Sequence, residues 1–147
     1  MLLNGVLFNS EAWHNISKED IKPLEKVDEC LLRNLLQNHP KCPLEFLFLE
    51  TGSIPIHHIL SSRRMMYLRT ILKRDDEELV KRVFREQEKN TTPGDFYELI
   101  KNDFSEYNLT YNEDMITSSK DDDYKNMIRE SIRKVAFTDL KSAQQSH

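Results

Sequence analysis

Apolar residues return along this chain every three or four positions, and strictly alternating apolar and polar runs are few, so the pattern predicts helices rather than strands. Ile21, Leu24, Val27, Leu31, Leu32, Leu35 and Leu36 mark one side of a first helix from Ser17 to about Gln37. Ser17 is placed as its N-cap, with Glu19 and Asp20 in the first turn, and His39-Pro40 ends it. Pro43 starts a short helix through Glu50, with Gly52 where a C-terminal cap belongs. Residues Ile54 to Ile56 then lead, extended, into a helix reaching about Arg74.

Asp75 and Asp76 break that helix and favour the N-terminus of the next, whose stripe is Leu79, Val80, Val83, Phe84 and Gln87. Asn90 to Gly94 is the strongest loop signal. Phe96, Tyr97, Ile100, Phe104 and Tyr107 define a further amphipathic helix, Asn112 caps a short turn through Ile116, and Tyr124 to Leu140 carries the last stripe. Only three glycines occur in 147 residues, which weighs further against a β domain. The expectation is an all-α fold: one compact domain of about six helices over residues 1–142, with a disordered tail at 143–147.

Charge changes the picture in the middle of the chain. The protein has a formal net charge of -4, yet Thr51 to Arg74 contains no acid and holds Arg63, Arg64, Arg69, Lys73 and Arg74 with His57 and His58. Positive charge gathered on one helix is the electrostatic footprint of contact with a polyanion. On a helical wheel Ile56, Leu60, Tyr67 and Ile71 cluster; Arg63 falls inside the cluster and Arg64 at its edge, while Arg69 and Lys73 fall opposite. Met65, Met66, Leu68 and Leu72 widen the apolar surface, which makes this basic helix central and packs it against the leucine-rich first helix.

An arginine in an apolar stripe must pair, because an uncompensated buried charge is costly. Asp28, misplaced in the stripe of the first helix, is the expected partner of Arg63 or Arg64, with Glu11 and Glu50 as alternatives. That leaves Arg69, Lys73 and Arg74, joined by Lys81, Arg82 and Arg85 of the following helix, as a phosphate clamp whose binding would be weak, salt-dependent and largely independent of base sequence. The same cations also fit a solvated helix face.

Other chemistry finds no support. Cys30, His39, Cys42, His57 and His58 match no common zinc-site spacing, and Asp121 to Asp123 reads as a solvated helix start, so neither metal nor cofactor is expected. Phosphate-binding glycine loops, nucleophile elbows, zinc-protease motifs and polymerase aspartate motifs are absent from the sequence. Two cysteines make no disulfide framework, and the apolar start of the chain is too short for a signal or a membrane span, which points to an intracellular protein, cytoplasmic or nuclear, with no membrane partner.

Four segments in series carry a family resemblance: Asn9 to Trp13 (Asn-Ser-Glu-Ala-Trp), Leu24 to Arg33, Leu49 to Gly52 with Ile54 to Ile56, and Arg63 to Leu68. In order and spacing they resemble the C-terminal, thumb-like or post-thumb region of non-LTR (LINE-type) retrotransposon reverse transcriptases. The likeness covers roughly Leu3 to Arg74, leaving 75–142 as a charged helical extension. It implies a helical region that holds template RNA or an RNA/DNA primer duplex. Asn9 stands where the family commonly has glycine, and the fingers, palm and endonuclease motifs are missing. The chain is therefore expected to be noncatalytic: a fragment, a degenerate element, or a piece kept for another use. The alternative is a helical protein-interaction or structural module, including one that self-associates, or an inactive remnant.

Overall fold

The computed structural model describes residues 18–36, 48 and 52–145. These form six helices: α1 (Lys18–Leu36), α2 (Ile56–Leu72), α3 (Leu79–Lys89), α4 (Phe96–Glu106), α5 (Glu113–Ser118) and α6 (Asp121–Gln145). No strand occurs among the described residues, and the fold is all-α. The expected Ser17 cap of α1 lies outside those residues, as does the short helix from Pro43 to Glu50 apart from Phe48, which is helical and buried.

α2 is the axis of the fold and packs against each of the other five helices. It buries residues on nearly every side, from Ile56 and Leu60 through Met65 and Leu68 to Ile71 and Leu72, as expected of a helix whose apolar residues are not confined to one stripe. Its neighbours complete the core with Phe84 of α3, Ile100 and Phe104 of α4, Ile116 of α5, and Tyr124, Ile128 and Ile132 of α6. Each such side chain contributes about 1.5–3 kcal/mol by leaving water. α1 adds a smaller cluster in which Ile21 and Leu24 pack against Ile56 and Leu60. The basic helix does meet the leucine-rich helix, but it packs more extensively on α6 and α4. Residue 74 is therefore no structural boundary, since α2 closes its core with helices that follow it.

Local signals set most boundaries. Asn112 caps α5, its Oδ1 accepting from the Met115 amide at 3.2 Å. α4 ends with Asn108 at φ 58°, the Leu109 amide bonding to the Phe104 carbonyl at 2.8 Å and the Asn108 amide to Ser105 at 3.2 Å. α2 ends at Leu72 with Lys73 as its C-cap, close to the expected Arg74, and Lys81 Nζ donates to the carbonyls of Leu72 (3.0 Å) and Arg74 (3.1 Å), holding the turn that follows. One boundary differs from expectation. α6 continues to Gln145, past the expected start of a tail at 143, because the Lys-Ser-Ala-Gln-Gln run contains no helix breaker.

α3 also sits differently on the core. Phe84 is buried, but Leu79 and Val83, assigned to the same inward stripe, are 74% and 46% exposed. Turning α3 so that Lys81 caps α2 and Arg85 reaches Glu113 carries those two residues outward.

Candidate nucleic-acid interface

The cations of α2 divide by what they touch. Arg64 makes a two-pronged ion pair with Asp103 of α4, Nε to Oδ2 at 2.8 Å and one terminal nitrogen to Oδ1 at 3.0 Å, with a further bond to Ser61 at 3.1 Å. Burial pushes the Asp103 carboxyl above the ordinary carboxylate range, and the Arg64 guanidinium pulls it back. Asp28 is not the partner: among the described residues no ion pair joins it to Arg63 or Arg64, and burial raises its carboxyl pKa. The strut exists, but it ties α2 to α4, because Asp103 lies on the inward face of α4 between Ile100 and Phe104. Glu11 and Glu50 lie outside the described residues.

Arg69, which the wheel places on the polar side, is 8% exposed. Its guanidinium donates to the carbonyls of Ile116 (3.2 Å) and Ser119 (2.6 Å) and to Asp121 (2.8 Å). It thus collects the end of α5 and the start of α6, with each of its three nitrogens bonded within the fold. The expectation that Arg69 is free for phosphate fails because α5 and α6 cover the side that the wheel leaves open.

Two cations of α3 are committed in the same way. Lys81 is buried on the end of α2 and also pairs with Asp76 at 3.0 Å. Arg85 holds Glu113 through two bonds, 2.7 and 2.9 Å, and touches Glu88 at 3.1 Å. Those bonds keep the Glu113 carboxyl below its ordinary pKa and lift Arg85 above its own. Arg82 is exposed on α3 and does not line the groove described next.

An open groove of about 560 Å³ runs between α2 and α6, lined by Arg63, Met66, Tyr67, Arg69, Thr70, Lys73, Arg74, Asp121 and Lys125. Five of these side chains are cationic and one is a carboxylate. That carboxylate, Asp121, is shared between Arg69 and Lys125, the latter at 3.0 Å. Lys73 is exposed, and Arg74, 54% exposed, pairs only loosely with Glu78, at 3.6 Å. Tyr67 and Met66 supply an apolar wall, Tyr67 being braced edge-on by Phe96.

Of the residues expected to form a clamp, the fold brings Arg69, Lys73 and Arg74 to one groove and leaves Lys81, Arg82 and Arg85 outside it. Sequence reasoning missed Lys125. Its signal was slight: Asp121 and Lys125 are spaced i, i+4 at the start of a helix, an ordinary surface pair. Asp103 was also missed, although a lone acid inside the Ile100, Phe104, Tyr107 stripe is the same mark that singled out Arg63 and Asp28. Among the described residues, no helix is long and apolar enough to cross a membrane. No family model, no curated protein and no solved structure matches the chain.

Proposed function

We propose that the protein is a noncatalytic helical module that contacts the sugar-phosphate backbone of RNA or an RNA/DNA hybrid through the α2–α6 groove. The observation that carries this reading is the charge of the groove: Lys73, Arg74 and Lys125 line it beside Asp121, in a chain whose net charge is -4. Lys73 and Arg74 supply mobile cations for phosphates, Lys125 exchanges Asp121 for a phosphate oxygen, and Tyr67 offers a ring beside them. Arg69 acts from behind, positioning α6 rather than gripping the ligand. The resemblance of residues 3–74 to the C-terminal region of LINE-type reverse transcriptases agrees with such a role.

A salt-titrated anisotropy measurement with single-stranded RNA, RNA/DNA hybrid and duplex DNA tests it. Binding is expected to weaken as salt rises, and replacing Lys73, Arg74 and Lys125 with alanine should flatten the log–log slope by about 0.7–0.9 for each phosphate no longer neutralised. Absence of binding at low salt, or an unchanged slope in the triple variant, overturns the reading.

A second reading, a protein-interaction module, draws on Leu79 and Val83 side by side on α3 and Val27 and Leu31 on α1, all large, apolar and exposed. Light scattering decides whether they drive self-association, which should disappear in a Leu79→Glu, Val83→Glu variant.

A further inference from the structure

At the other end of α2 the first turn carries His57 and His58, and α4 finishes beside them on Glu106. A ring nitrogen of each histidine and a carboxylate oxygen of Glu106 all lie within 4.8 Å of one another. We propose that this trio binds a divalent transition-metal ion of the zinc type, tying the start of α2 to the end of α4.

The donor set suits such an ion. Two imidazoles and one carboxylate leave a fourth position open in a tetrahedral site, and imidazole favours zinc, copper and nickel over magnesium or calcium. His58 is the fixed member, 2% exposed, with its Nδ1 2.7 Å from the Tyr107 hydroxyl. When Nδ1–H donates to that hydroxyl, Nε2 holds the lone pair that coordination requires, the arrangement by which an outer partner selects the tautomer of a ligating histidine.

His57 and Glu106 are exposed, and the ring centroids of His57 and His58 lie 3.9 Å apart at 39°. With metal–ligand bonds of about 2.1 Å, neighbouring donors of a tetrahedral ion stand about 3.4 Å apart. The donor atoms, within 4.8 Å of one another, have to close by up to about 1.4 Å, and the His57 ring has to swing off its contact with His58 so that both lone pairs aim at one point.

Zinc titrated into the reduced full-length chain against a chromophoric chelator should bind at one equivalent and raise the melting temperature. Cobalt in its place should give the intense visible bands of a four-coordinate ion. His57→Ala and Glu106→Gln, both at exposed positions, should each weaken binding by at least about tenfold while leaving the metal-free melting temperature unchanged, and Tyr107→Phe should weaken it less. Failure to compete with the chelator, or equal affinity in the His57→Ala, Glu106→Gln double variant, overturns the site. The latter result would assign any binding to the remaining histidines and cysteines, and the approach of His57 to Glu106 would then be an ordinary charge pair.

Discussion

In the first half of α2, Arg64 buries its guanidinium against Asp103 and Ser61, and His58 sinks its ring against Tyr107. Just past the C-terminal end of the same helix, Lys73 and Arg74 keep their charges in water, with Arg69 one turn earlier turned inward to the carbonyls of α5 and the turn after it. The difference lies in what stands opposite. α4 brings a phenol to the start of α2 and a carboxylate to its middle, so polar groups there can be buried with partners. Beyond Leu72 the chain turns away into α3, and none of the described helices covers the last cations. Among the described residues, the buried charges of α2 are held by partners within the fold, and the charges at its end stay in water.

Breaking the buried end should have the largest effect. Arg64→Ala strands the Asp103 carboxylate in the core and should cost about 3–5 kcal/mol in urea unfolding, whereas replacing both partners with apolar residues of similar size should restore much of the loss. A small effect of Arg64→Ala would remove the distinction between the two ends. Acid should act next. His58 has its pKa lowered to about 4 from 6.5, so as pH falls from 6.5 toward 4 the unfolded chain takes up a proton that the folded ring refuses. This group leaves stability unchanged above pH 6.5 and removes about 3 kcal/mol across that window. His58→Gln should unfold with a flatter acid limb than the parent, and since both share Asp28, Asp103 and Glu106, the difference isolates the imidazole. Parallel limbs would show that the ring is not held neutral.

The remaining comparison sharpens the C-terminal end itself. Arg69→Ala leaves the carbonyls of Ile116 and Ser119 without their donor and should cost about 2–3 kcal/mol. Lys73→Ala with Arg74→Ala should change stability by no more than about 0.5 kcal/mol. Thermal melts of the two variants would show whether Arg69 is a strut and its neighbours are not; equal losses would place all three in one class.

Much of the fold was legible in the chain because helix formation is governed by nearby residues. The stripe of Tyr124, Ile128, Ile132, Ala136 and Leu140, the Asn112 cap and the Asn90 to Gly94 loop each arise from spacing or from one residue's local bonding, and each is found where the pattern placed it. The groove was legible in part, through the acid-free run that ends at Arg74. Lys125 was hidden because it comes from a helix that only the packing brings alongside. The outward turn of Leu79 and Val83 was hidden because the wheel of α3 cannot register that Lys81 and Arg85 have bonds to make on either side of it.

Sequence alone determined that this protein is helical, roughly where its helices begin and end, and that its positive charge is concentrated on one of them, since these follow from interactions within a few residues. Only the tertiary structure decided which of those charges are spent. Arg64 finds Asp103 and His58 finds Tyr107 where α2 meets α4, and Arg69 finds α5 and the turn leading into α6. The reason is that desolvation and pairing depend on distance in space, and a helical wheel measures only angle around one axis.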